Sequence, residues 1–334
     1  MYNFSRIKVL ITSACNANCT HCFRNKDKNT YSIPFDKLRE IVDFGIKYGC
    51  QQFSFSGGEF FTHQHAYDLI NYCINKGVHI GILTNGLDVD RMFFRKIQKK
   101  HLVTFQVSVD GLRENHDTRR GEGSFERMMT TVKNLYEIGY EVSAKIAIDE
   151  KNYRDIVEIF KMPWFGHVLV IPVAFSRDKV SGQSITESYR EAERCIQVIY
   201  RNQAALFKND RRCECYPHEL AIKYDGGVYP CTEAREHNEF LIGNILNTSI
   251  EGVIRSYESD NPNKFICPEA QNSGCNACSA REICNRGCRL RALRFHGDIL
   301  APDPFNCRIF KDEYLEIPIG QLFWGENSIK GITS

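Results

Sequence analysis

A chain of 334 residues, 43% apolar and 25% charged, has the composition of an ordinary globular protein and can bury one large core or two smaller ones. Its formal charge of +2, with acidic and basic residues mixed throughout, gives no broad basic field, so nucleic acid is not an expected partner. A membrane span needs roughly 18–20 uninterrupted apolar residues, whereas the best run here, 167–175, is short and holds Pro172, so no membrane association is expected.

The first apolar run leads into a cysteine motif without a small-residue cleavage site, so no signal peptide is read and a cytoplasmic location is expected. Short β-branched or aromatic runs then alternate with amphipathic stretches, the pattern of strand-helix units around a parallel sheet. Strands are predicted at 7–12, 52–56, 79–84, 103–108, 141–148 and 167–171. Helices are predicted over 35–48, entered at Pro34 and left at Gly49, and over 124–138, ended by Gly139. Six units fall short of the eight that close a full barrel, so the expected fold is α/β, a partial (β/α)6 TIM-like barrel. It should occupy 1–209, including a joining helix at 186–208. From 210 to 334 the texture changes: nine of the fifteen cysteines lie there and periodicity fades, as in a small cysteine-rich α+β domain held by metal ligation.

Fifteen cysteines without an export signal point to metal or cluster binding in place of disulfides. Cys15, Cys19 and Cys22 form C-x3-C-x2-C just after the first strand. Three thiolates on one short loop can hold three irons of a cubane cluster and leave a fourth iron open for chemistry. A structural zinc would need a fourth ligand, and His21 would have to supply it while sitting beside Cys22. Cys50, Cys73 and Cys195 lie in helical or helix-exit contexts and read as packed thiols.

This loop resembles that of the radical S-adenosylmethionine (SAM) superfamily, and further segments match in order. Ser56-Gly57-Gly58-Glu59 resembles the family's GGE element; the resemblance implies that it holds the amino group of SAM, with Glu59 supplying a carboxylate and the glycines permitting close backbone approach. Leu83-Thr84-Asn85-Gly86 and Ser108-Val109-Asp110-Gly111 end the third and fourth strands, where related enzymes contact the ribose and methionyl parts, which implicates Asn85, Ser108 and Asp110. His116-Asp117-Thr118-Arg119-Arg120-Gly121 resembles the segment whose arginine pairs with the SAM carboxylate; alignment on its His-Asp start selects Arg120, with Arg119 as the neighbouring alternative. His21 stands where an aromatic residue is usual, and its imidazole can stack on adenine. Each segment alone also fits an ordinary turn or cap, but four of them at predicted strand ends beside the cluster loop is a different matter.

The later cysteines resemble the SPASM domain, the auxiliary-cluster extension of this superfamily. Cys275, Cys278, Cys284 and Cys288 follow C-x2-C-x5-C-x3-C, after Cys213, Cys215 and Gly226-x4-Cys231 and before Cys307. Carried over by position, Cys213, Cys215, Cys231 and Cys288 would hold one auxiliary 4Fe-4S cluster and Cys275, Cys278, Cys284 and Cys307 the other. Cys213 stands closer to Cys215 than the corresponding pair in relatives, and Cys267 is a nearby competitor. Two zinc knuckles in a non-catalytic binding module would be the alternative.

The resemblance implies an enzyme that takes one electron from a donor such as flavodoxin or ferredoxin, reductively cleaves SAM to a 5'-deoxyadenosyl radical and abstracts hydrogen from a substrate. Its first implied substrate is a ribosomally made peptide, modified or crosslinked oxidatively. The fourteen residues before Cys15 leave no room for a leader-binding domain, so leader binding is expected to need a separate leader-binding protein or the barrel itself. Oxidation or decarboxylation of a small molecule, as in haem-precursor and aminoglycoside relatives, is the other implied chemistry. In one branch the proton acceptor lies just after the cysteine matched by Cys231, which makes Glu233 a candidate beside its plainer reading as a solvated carboxylate.

Overall fold

The computed structural model describes residues 4–22, 30–148, 151–172, 218–260, 273–280, 284, 287–303 and 307. The first six strands are β1 (Arg6–Leu10), β2 (Gln52–Ser56), β3 (His79–Thr84), β4 (Val103–Ser108), β5 (Glu141–Ile148) and β6 (His167–Pro172). They alternate with α1 (Phe35–Lys47), α2 (Ala66–Lys76), α3 (Arg91–Lys96), α4 (Arg113–Arg120), α5 (Ser124–Glu137) and α6 (Ile156–Phe160). The sheet has nine strands in the order β6-β5-β4-β3-β2-β1-β7-β8-β9, where β7 is Glu219–Ile222, β8 Gly227–Tyr229 and β9 Gly243–Asn244. Strands β1 to β5 and β7 pair in parallel, and β8 and β9 extend the edge antiparallel. The α/β partial barrel is therefore present, and its sheet continues past β1 into a strand that the fading periodicity after residue 210 concealed.

One side of the strands packs under the helices. Ile7, Val9, Phe53, Phe55, Ile80, Ile82, Phe105 and Val107 are buried there, following the two-residue period of a strand. A Cβ added at Gly45 of α1 would come within 2.5 Å of the Phe53 ring and 2.9 Å of Ile7, so glycine lets this helix sit close to β1 and β2. Phe94, Phe105 and Tyr140 meet edge to face with ring centroids 5.0–5.5 Å apart, locking α3 to β4.

The described residues fall into two compact units. One lies within 1–146, 162–169 and 214–267, and the other within 147–161, 170–213 and 268–334. The first unit also holds α7 (Ile250–Asp260), tied to α1 by Glu251, which accepts from Lys47 at 2.7 Å and Tyr48 at 3.0 Å. The second unit holds α8 (Ser273–Asn276) and α9 (Arg289–His296). The joining helix expected at 186–208, and Cys195, Cys213, Cys215 and Cys267, lie outside the described residues. Among the described residues, no helix is long and apolar enough to cross a membrane.

Candidate active site

The site forms at the C-terminal edge of β1 to β4, the edge where β/α folds place ligands. After β1 the chain pairs Thr12 with Ser32 in an isolated bridge and enters the loop bearing Cys15, Cys19 and Cys22. The glycines of the GGE element let β2 meet that loop. A Cβ at Gly58 would lie 2.1 Å from the Ala14 carbonyl oxygen, and one at Gly57 2.4 Å from that of Thr12. Gly58 N donates to Thr12 O at 2.7 Å and Glu59 N to Ala14 O at 2.8 Å, so close approach here serves backbone on backbone.

Glu59 is buried and binds the next strand end. Its Oε1 accepts from Thr84 Oγ1 at 2.7 Å and Phe61 N at 3.2 Å, and its Oε2 accepts from Asn85 N at 2.6 Å. Burial pushes its carboxyl up, against the pull of these hydrogen bonds. Each carboxylate oxygen has two acceptor directions, so Oε2 retains one. Asn85 in turn donates to Asn16 Oδ1 at 2.7 Å, stands 4.0 Å from Cys15 Sγ, and accepts from Leu87 N at 2.9 Å. Asn16 also donates to Asp88 Oδ2 at 2.6 Å, which ties the cysteine loop to the loop after β3.

The fourth strand end supplies the charged centre. Asp110 is 0% exposed. Its Oδ2 accepts from Arg120 Nε at 2.5 Å and lies 3.2 Å from His21 Nε2. Arg120 Nη1 reaches Cys19 Sγ at 3.9 Å. His21 and Arg120 together hold the Asp110 carboxyl well below the ordinary range despite its burial, and Asp110 and the cysteine thiols raise Arg120. His116 Nδ1 accepts from Asp110 N at 3.2 Å, and burial pushes its imidazole down to about 4, so it is neutral at physiological pH. Of the two adjacent arginines, then, Arg120 carries its guanidinium to Asp110 and Cys19. Arg119 contributes its backbone oxygen, which accepts from Thr20 N at 2.9 Å and fastens α4 to the cysteine loop.

These residues suit an iron-sulfur cluster with SAM. Three thiols lie on one loop, with N–H donors aimed at the sulfurs of Cys15 and Cys19, the kind of contact that tunes cluster ligands. Among the described residues the buried Nδ1 of His21 has no hydrogen-bond partner. Among the described residues no three His, Cys, Asp or Glu side chains converge on one ion, and a cubane cluster takes its thiolates on separate irons.

Ser108 ends β4 at this same edge, in register with Lys145 of β5. The other predicted residues come later in the chain. Cys231 precedes the turn Thr232–Glu236, in which Glu233 is exposed. Cys275, Cys278, Cys284, Cys288 and Cys307 belong to the second unit. There the buried Asp303, an acid not singled out by its sequence context, binds the backbone of two of them, Cys288 and Cys307. Its Oδ2 accepts from Cys288 N at 2.7 Å and Arg291 Nη2 at 2.7 Å, and its carbonyl oxygen accepts from Cys307 N at 2.9 Å. The described cysteines form no disulfide. Cys50 and Cys73 are buried, and burial pushes the Cys50 thiol up to about 11 and that of Cys73 higher still.

A parallel β/α sheet with a thiol-rich loop and a buried arginine-carboxylate pair at its C-terminal edge defines a cofactor-binding partial barrel. The chain carries a radical SAM superfamily domain, whose family model matches residues 9–162, and a SPASM iron-sulfur cluster-binding domain, whose model matches 213–279. It is similar to the AdoMet-dependent heme synthase of Methanosarcina barkeri, 24% identical over 88% of this chain and 94% of that protein. The mycofactocin maturase MftC of Mycobacterium tuberculosis is 23% identical over 88% of this chain and 80% of its own length. Among solved structures, Streptococcus suis SuiB bound to its precursor peptide SuiA shares the fold, with a TM-score of 0.69 at 15% identity over 95% of this chain and 77% of that one.

Proposed function

We propose that this chain reductively cleaves SAM and abstracts hydrogen from a substrate, with Cys15, Cys19 and Cys22 as ligands of the SAM-binding cluster. The observation that carries this is the Arg120 guanidinium, held between buried Asp110 and the Cys19 thiol at the C-terminal edge of the sheet. Arg120 receives the carboxylate of SAM, while Glu59, through the free direction on Oε2, and the neighbouring backbone take its amino group. His21, anchored to Asp110, lies in the same loop for the adenine. When bound, the cluster supplies the single electron that breaks a sulfonium carbon-sulfur bond of SAM to give a 5'-deoxyadenosyl radical. The electron comes from a donor such as flavodoxin or ferredoxin. Cys275, Cys278, Cys284 and Cys307, all in the second unit, ligate an auxiliary 4Fe-4S cluster, and a further auxiliary cluster makes three in all.

The substrate proposed first is a ribosomally made peptide, modified or crosslinked oxidatively, which the maturase relative supports. Small-molecule oxidation or decarboxylation stands beside it, because a heme synthase aligns over 94% of its own length. Anaerobically reconstituted protein should hold about twelve irons, four per cluster, and form deoxyadenosine from SAM and dithionite. Zinc in place of iron would overturn the proposal. With a candidate precursor peptide, the peptide product should lose two hydrogens. Deoxyadenosine without any change in peptide mass would count against peptide modification and leave the small-molecule chemistry.

A further inference from the structure

Closed β/α barrels fill their interiors with branched apolar side chains. In this sheet the face turned from the helices carries Ser54, Gly81, Thr104, Gln106 and Ser143, which alternate with the buried apolar positions. A Cβ added at Gly81 would lie 3.6 Å from Thr104 Oγ1 and 3.7 Å from Ser54 Oγ, so the small polar groups of β2 and β4 flank a glycine of β3.

Lys145 stands on that same face near the end of β5, paired in register with Ser108 and flanked in sequence by Ala144 and Ile146, both 0% exposed on the helix side. The other lysine on this face, Lys8 of β1, is neutralised by Glu219 at 2.8 Å. Among the described residues the Lys145 ammonium has neither an ion pair nor a hydrogen bond. Burial, and the positive charges of Arg235, Lys8 and Arg120, disfavour its protonated form; Glu233 opposes them without pairing with it. Holding an unpaired cation at a partly buried position costs stability, which an anionic ligand would recover. The single carboxylate of SAM already has Arg120 in the proposed function, so the anion that Lys145 awaits comes from the second molecule in the barrel.

We infer that Lys145 is a substrate-binding residue that takes a carboxylate, and hence that the substrate is an acid: a propionate-bearing tetrapyrrole or a peptide with an acidic side chain or free C-terminus. This rests on the proposed function for the place of SAM. It is tested on SAM-loaded, reconstituted protein with two pairs of probes: iron coproporphyrin III against its tetramethyl ester, read by the Soret band, and an Ala-Glu-Ala peptide amide against its Gln counterpart, read calorimetrically. At least one acid should bind about 10- to 100-fold more tightly than its neutral partner, the range of a charge-assisted hydrogen bond. Lys145→Gln should erase that preference and Lys145→Arg should retain most of it, while SAM affinity stays within about twofold in both. Four results would overturn the inference: no probe binding, equal binding of acid and neutral forms, a preference that survives in Lys145→Gln, or a SAM affinity about tenfold weaker in Lys145→Gln, which would give Lys145 to the carboxylate of SAM itself. Deoxyadenosine formation by the unaltered enzyme is measured in parallel. Its absence would count against SAM cleavage, whatever the probes do.

Discussion

Asp110 holds two partners with one oxygen, and Arg120 depends on it most. The guanidinium is largely withdrawn from water, with a side chain 12% exposed, and Asp110 is its carboxylate at 2.5 Å. Removing one member of a buried pair leaves the other charge uncompensated, at a cost of about 3–5 kcal/mol. Asp110→Ala should therefore lower the melting temperature and weaken SAM binding by about 10- to 100-fold, while the thiols of Cys15, Cys19 and Cys22 still take up iron. Titration calorimetry with iron analysis checks both, and undiminished SAM affinity would show that Arg120 is positioned by something else. Ser-Val-Asp-Gly and His-Asp-Thr-Arg-Arg-Gly are each visible in the sequence as segments. That Asp110 of one grips Arg120 of the other is not, because a fully buried carboxylate and a surface turn residue are spelled alike. Lys145 and Asp303 escaped for the same reason: one is a lysine in an alternating strand, the other a single acid in a loop, and each gains meaning only from what surrounds it.

At the level of elements, β2, β3, β4 and β5 occupy the ranges that alternation predicts. The first strand stops at Leu10 and not at Thr12, because Thr12 leaves the sheet to bridge Ser32. Helix α4 was not legible: Arg-Glu-Asn-His-Asp-Thr-Arg-Arg has no apolar stripe, and packing against α5 and the cysteine loop shapes it. Nor was β7, four buried residues with no alternation to betray them. Asp117, within the motif that carries Arg120, serves the α4-α5 corner. It accepts from Gly123 N at 3.1 Å, Ser124 Oγ at 3.0 Å and Phe125 N at 2.7 Å. Asp117→Ala should cost about 1–2 kcal/mol, as for loss of a helix cap, seen as a lower melting temperature with little change in SAM affinity; a loss of SAM binding as large as that of Asp110→Ala would place Asp117 in the site. Gly58→Ala should do the reverse. Its Cβ would meet the Ala14 carbonyl at 2.1 Å, inside the cysteine loop, so the reconstituted protein should lose about four of about twelve irons. Full iron content in that variant would mean that the loop can yield.

For the molecule as a whole, the cysteines divide between the two units. Cys15, Cys19 and Cys22 lie in the first with every contact proposed for SAM, whereas Cys275, Cys278, Cys284 and Cys307 lie in the second, where Cys307 N donates to the Asp303 carbonyl oxygen. If SAM cleavage is a property of the first unit, then losing a thiol from each has different consequences. Cys15→Ala removes the thiol beside Asn85, a cluster ligand in the proposed function, and should abolish deoxyadenosine formation outright. Cys278→Ala leaves Arg120, Asp110 and the first loop intact, so it should keep a measurable, substrate-uncoupled production of deoxyadenosine while substrate conversion is lost. Iron should fall by about four in each variant, and circular dichroism should report folded protein in both. Equal and complete loss of deoxyadenosine in well-folded forms of the two would refute this separation, and would mean that the second unit is required for the cleavage of SAM itself.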